Sequence, residues 1–102
     1  MKTGPDFRAH LRRRLIEADV PESLHYGLVE YFAARQPTGD FLRAVLENNL
    51  SEAAVRADIV NRFCLAEIVL FLYNDCPARA WGSPEKVAAW LADPTPVPEV
   101  FE

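Results

Sequence analysis

The sequence predicts an all-α fold, a compact single-domain bundle of five or six helices, and three observations predict it. The first is Asp58–Asn74, DIVNRFCLAEIVLFLYN, in which every residue from Phe63 to Tyr73 except Glu67 is apolar. A strand usually runs about 4–8 residues, and this stretch is far longer, so its length selects a helix. The second is the recurrence of apolar residues three and four apart in the other segments, which lines them up on one helix face. The third is punctuation: Pro21-Glu22 and Ser83-Pro84-Glu85 are helix starts. Proline at the first helical position loses no needed hydrogen bond, and an acid there suits the helix dipole. An apolar run that wraps around a helix predicts burial against several neighbours at once, so Asp58–Asn74 is expected as the buried helix at the centre of the bundle.

In chain order, the first helix is expected over Asp6–Ala18, with Phe7, Leu11, Leu15 and Ala18 as its stripe, and Asp19-Val20-Pro21 interrupts it. The second runs from Pro21 to about Arg35, faces inward with Leu24, Leu28, Tyr31 and Phe32, and is stopped by Gln36-Pro37. Thr38-Gly39-Asp40 opens a third, with Phe41, Leu42, Val45, Leu46 and Asn49 on one face and Asp40, Arg43, Glu47 and Asn48 outside. Asn48-Asn49 weakens helical propensity, so Ser51 reads as the cap of a short fourth helix, Glu52–Ala57. Asp58 caps the core helix by accepting from the N–H of Val60 or Asn61, and Pro77 closes it. Cys76–Gly82 is a loop containing Trp81, and Ser83 caps the last helix, Pro84–Ala92, which presents Val87, Trp90 and Leu91. Residues 1–93 make the domain; residues 94–102, with Pro94, Pro96 and Pro98, make an extended tail.

Composition narrows the class of protein. Half of the 102 residues are hydrophobic and a quarter charged, as in a folded globular domain and unlike a disordered one. The apolar run is several residues too short to cross the roughly 30 Å bilayer core, and the N-terminus lacks a continuous apolar stretch of the secretory kind, so the expected compartment is the cytoplasm. Cys64 and Cys76 are expected as free thiols, because a helix running through both would hold them about 18 Å apart, against a limit of about 7 Å for bridging. Of the two, Cys64 reads as a small packed hydrophobe and Cys76 as the more exposed. Residues 1–20 carry five basic side chains against three acidic ones; residues 21–102 carry six against twelve, for a net charge of −4. A mainly acidic surface repels nucleic acid in general and suits a basic protein partner, with the N-terminal helix as the one local exception.

No Gly-rich phosphate loop, no Ser–His–Asp arrangement and no Cys-x-x-Cys motif is present, so no catalytic residue and no cofactor is assigned. His10 and His25 have no companion ligands at metal spacing, so no metal is assigned either, and His25 reads as helix surface or a partly buried polar group. Arg8, Arg12, Arg13 and Arg14 are the basic cluster, yet only Arg8 and Arg12 share a helix face. That pair could grip phosphate or an acidic protein surface, which sets up an alternative reading as a nucleic-acid-associated regulator. Glu67 is a lone carboxylate in an apolar helix, read as a slim exposed strip with Asn74 or as a partner of Arg62 or Arg35; an enzyme built on it would need a second catalytic group. Among aromatics, Trp90 reads as core, while Phe101 and especially the loop residue Trp81 could anchor a partner. Asp40, Glu47 and Glu52 form an acidic outer surface that could dock one.

Two stretches carry a likeness. PESLHYGLVEYFAARQPTGDFLRAVLENNLSEAAVRAD and FLYNDCPARAWGSPEKVAAWL resemble, in order, a family of small proteins encoded by bacteriophages and prophages. The likeness lies in a Gly-x-Phe-Leu helix leading into Ala-Val-Leu-x-Asn, then Arg-Ala-Asp, then Trp-Gly-Ser-Pro-Glu-Lys-Val and a closing Trp. It covers about residues 21–91 and leaves residues 1–20 outside. The resemblance implies a genetic setting and not a reaction. Small acidic proteins from phages and mobile elements often bind and block a host protein, inhibitors of CRISPR systems among them. The expectation that follows is a non-catalytic accessory protein with a host protein as partner, acting against antiviral defence.

Overall fold

Helix ends in this chain are set by local chemistry. The computed structural model describes the backbone of residues 4–97 and the side chains of residues 7–97. Among them are seven α-helices and no strand: α1 Gly4–Glu17, α2 His25–Ala34, α3 Asp40–Leu46, α4 Leu50–Arg56, α5 Ile59–Phe63, α6 Leu65–Asp75 and α7 Pro84–Ala92. Single 3₁₀ turns at Glu22–Leu24 and Ala78–Ala80 precede α2 and α7. The all-α single-domain fold is therefore the observed one, with more and shorter helices than the five or six expected.

The caps explain the differences. Ser83 Oγ accepts from the Lys86 N–H at 3.1 Å with Pro84 at the first helical position, so α7 has the boundaries its sequence signals. Asp58 accepts from Asn61 N–H at 2.7 Å, as expected. The cap of α4, however, is Asn49 and not Ser51: its side chain accepts from Glu52 N–H at 3.2 Å, and asparagine caps at least as well as serine. Asn49 is thus an exposed cap and not part of the inner face of α3. Pro21 leads into the 3₁₀ turn, and the expected second helix begins in α form only at His25. Three helices end in a left-handed residue, Asp19, Arg35 and Asn48, after which the next N–H reaches back to Leu15, Glu30 and Ala44 carbonyls respectively, closing each helix as a glycine commonly does.

The expected core helix Asp58–Asn74 is broken. At Cys64 the backbone leaves helical geometry (φ −111°, ψ 13°), and its N–H bonds the Asn61 carbonyl three residues back, dividing the segment into α5 and α6. Ile59, Val60, Asn61 and Phe63 are mediocre helix formers, which leaves this turn little to resist the break.

Packing then follows a two-layer plan. The chain measures 38 × 29 × 19 Å, and a helix with its side chains is about 10–12 Å across, so the thin dimension holds two layers. Phe7, Leu11 and Leu15 of α1 meet Leu28, Val29 and Phe32 of α2, with Phe41, Val45 and Leu46 of α3, Ile68, Phe71 and Leu72 of α6, and Val87 and Trp90 of α7 completing one core. Tyr31 is enclosed there; its hydroxyl donates to the Ala80 carbonyl, and burial, then the charge of Glu47, pushes its phenol well above the ordinary range. Two layers cannot enclose a helix on all sides. The expectation of a centrally buried helix is accordingly corrected: α6 buries one face and exposes the other.

Residues 94–97 are not free tail. Arg35 donates to the Thr95 carbonyl at 2.9 Å and to the Trp90 carbonyl at 3.1 Å, and Val97 packs against the core. Phe101 and residues 98–102 lie outside the described residues.

Candidate interaction face

On α6 the inward positions are Ile68, Phe71 and Leu72. At about 100° per residue, Ala66, Val69, Leu70 and Tyr73 fall together on the opposite side. All four are exposed, Tyr73 to 76 %. This helix is apolar on both faces, and among the described residues only the inner face is covered. In α5 the usual pattern is inverted: Asn61 is the buried residue, its Oδ1 without a hydrogen-bond partner, while Ile59, Val60 and Phe63 point outward, Phe63 to 80 %. Leu50 at the start of α4 joins them, sharing a shallow groove with Ala53, Leu65 and Val69.

The area is considerable. A fully exposed aliphatic side chain presents about 60–120 Å², and an aromatic one about 150–250 Å². Scaled by their exposures, the seven large outward side chains of α4–α6 present in sum roughly 400–730 Å². The largest apolar patch on a typical soluble monomer is about 300–600 Å² and is often functional.

Glu67 and Asn74 sit on the flank between the two faces of α6, next to α1. There a cleft of about 280 Å³ is lined by Arg14, Glu17 and Ala18 of α1 and by Glu67, Leu70, Phe71, Asn74 and Asp75 of α6. Glu67 is partly buried, and its Oε1 is enclosed without a hydrogen-bond partner. Neither expected pairing is formed: Arg62 is exposed on α5, and Arg35 is directed to Asp93 at 3.6 Å and to the Trp90 ring at 3.9 Å. Arg14, the base of the cleft, is already held by Asp75 at 2.8 Å and Glu17 at 2.6 Å. Three carboxylates therefore face one guanidinium.

The side chains singled out by sequence as partner contacts lie elsewhere and are mostly engaged. Trp81 is half-buried and packs against the core, with the neighbouring Gly82 N–H bonded to the Leu46 carbonyl at 2.7 Å; it is a closing residue and not a free loop anchor. Asp40 and Glu52 both hold Arg56, at 3.4 and 2.9 Å, and Glu47 holds Arg43 at 2.9 Å. Arg8 is committed to both carboxylate oxygens of Glu30, at 2.9 and 3.1 Å, so of the pair on that helix face Arg12 alone is directed outward. His25 Nε2 lies 2.8 Å from the Val20 carbonyl, a partly buried polar group as one of its two readings has it.

The Arg8–Glu30 pair carries a pH signature. The hydrogen bond from Arg8 holds the Glu30 carboxyl below the ordinary glutamate range, against an opposing effect of burial. A depressed folded-state value means that the unfolded chain binds protons first on acidification. The stability from this pair is thus present at neutral pH and is lost as pH falls through the glutamate range and below. Urea midpoints measured against pH should show a shallower acid decline in Glu30→Gln than in the wild type.

The cysteines are both free, with their packing reversed from expectation: Cys76 packs against the core. Burial, and secondarily the charge of Asp75, raises its thiol well above the ordinary value, which makes it a poor nucleophile. Among the described residues no group of three or more His, Cys, Asp or Glu side chains is placed to hold a metal ion, and no helix is long and apolar enough to cross a membrane. Comparison with protein-family models, with curated proteins and with solved structures finds no match.

The outward stripe of α5 and α6 was missed by sequence reasoning because an apolar residue on an exposed face and one on a buried face look alike in a run that is apolar all round. One signal was available: a chain of this length builds about two layers, and two layers leave every helix an outer side.

Proposed function

We propose that the chain is a non-catalytic accessory protein that acts by holding a host protein against the outer face of α4–α6. The observation that carries this reading is the exposed apolar stripe itself, Phe63, Val69, Leu70 and Tyr73 foremost, on a domain whose core is already complete without them. Interfaces draw their energy from such desolvated aromatic and aliphatic anchors, and aromatic residues are enriched among hot spots. The resemblance to phage and prophage proteins supplies the setting, in which the partner is a protein of the infected cell and the task is inhibition of antiviral defence of the CRISPR-blocking kind. The alternative, a nucleic-acid-associated regulator, leans on Arg8 and Arg12; with Arg8 held by Glu30 it has less to work with.

The test is capture from host lysate with identification of the retained proteins, run in parallel with wild type and Phe63→Asp. A protein enriched by wild type and lost with the variant is the expected result. Nothing enriched over control, or equal capture by both, counts against the reading. DNA or RNA affinity that falls steeply with salt would instead favour the alternative.

A further inference from the structure

Resting on the reading of α4–α6 as a binding face, we infer the chemistry of what it binds: an amphipathic helix whose apolar stripe lies on Leu70 and its neighbours and whose flanking lysine or arginine enters the α1–α6 cleft to meet Glu67. Four observations lead there. First, the described residues form no strand and so present no sheet edge to extend, while an exposed apolar helix face offers the spaced anchors that helix-in-groove recognition uses. The outward residues Ala66, Val69, Leu70 and Tyr73 have the i, i+3, i+4, i+7 spacing that meets a second helix.

Second, Leu70 belongs to both features: it is an exposed member of the stripe and a wall of the cleft. A partner side chain crossing from one to the other lays its aliphatic stem on Leu70 and carries its charged head to Glu67, as long basic side chains do at apolar edges. Third, the cleft has an acid to spare. Arg14 is shared between Glu17 and Asp75, whereas the partly buried Glu67 carboxylate at the cleft wall is in no ion pair. A partly buried carboxylate without a counter-charge is costly, and a guanidinium or ammonium group at the reachable part of the Glu67 carboxylate supplies one through a charge-assisted hydrogen bond. Fourth, a cleft of about 280 Å³ has room for such a head group. A second copy of this chain is the less fitting occupant, because apposing two such clefts brings Glu67, Glu17 and Asp75 of each copy toward a surface of like sign.

The experiment uses the full chain and two synthetic helical peptides of about five turns, alike in their leucine stripe but flanked by lysine in one and by glutamate in the other. Affinity is measured by calorimetry at an ionic strength that screens exposed charge. The leucine–lysine peptide should bind at least about tenfold more tightly, and Glu67→Gln should remove most of that preference, since a hydrogen bond between charged groups is worth about that factor. Glu85→Gln, on the exposed side of α7, should leave the preference in place. Circular dichroism confirms that the variants are folded. A preference that survives Glu67→Gln overturns the inference; if Leu70→Ser still abolishes binding of both peptides, the face itself remains the docking site. Binding of neither peptide, with sedimentation showing a dimer that Phe63→Asp makes monomeric, assigns the face to a second copy and also overturns the inference. Binding of neither peptide by a monomer, with host capture untouched by Phe63→Asp, removes the binding face as well.

Discussion

Leu72→Ala is expected to destabilise the domain by about 2–5 kcal/mol, whereas Tyr73→Ala, one residue further on, should leave stability within about 0.5 kcal/mol of wild type. The two side chains sit on opposite sides of α6. Leu72 is fully buried beside Ile68 and Phe71, so its truncation removes apolar contact and leaves a cavity among side chains that have no way to collapse into it. Tyr73 touches mainly solvent, and its removal takes nothing from the core. Urea denaturation of both variants checks the contrast directly. In a domain of this size each kcal/mol is worth about 4–8 °C of Tm, so the expected separation is easily resolved. Equal losses at the two positions would mean that α6 is enclosed all round.

Trp90→Ala should cost at least as much, about 3–5 kcal/mol. The indole is buried, its Nε1–H donates to the Tyr31 carbonyl at 2.8 Å, and its ring lies 6.3 Å from that of Tyr31. Arg35 covers the other side at 3.9 Å from the ring centroid while donating to the Trp90 carbonyl and to Thr95, so the same residue ties α2, α7 and the following segment together. Trp90→Phe separates the contributions. It keeps most of the apolar area and removes one of the two donors to the Tyr31 carbonyl, which still accepts from the Arg35 N–H at 3.1 Å, at a cost of about 0.5–1.5 kcal/mol. Denaturation midpoints that place Phe near wild type and Ala far below it are the expected order; a Trp90→Ala protein within about 1 kcal/mol of wild type would show that α7 contributes little to the core.

Parts of this architecture were legible residue by residue. The α7 boundaries follow from Ser83-Pro84-Glu85 and Asp93-Pro94, and the buried set Phe7, Leu11, Leu15, Leu24, Leu28, Tyr31 and Phe32 follows from helical spacing. Asn49 is a poor residue for a helix interior, which hides its role as a cap, since the same side-chain chemistry that weakens an interior favours a start. The acids Asp40, Glu47 and Glu52 and the base Arg8 were recognised as charged surface, yet nothing in their order along the chain indicates that Arg56, Arg43 and Glu30 already occupy them.

The sequence by itself determined that this chain is helical, where α3 begins and where α7 begins and ends, and which stripe of α1 and α2 turns inward. Those properties depend on neighbours within a turn or two, where backbone geometry and side-chain capping act. Tertiary structure alone decided which half of Asp58–Asn74 faces solvent, that the segment divides at Cys64, and that Glu67 comes to lie in a cleft against α1. A run that is apolar on every side has no preferred orientation of its own; the thickness of two helix layers leaves one side bare, and the side that meets α1 and the rest of the core is the one that is covered.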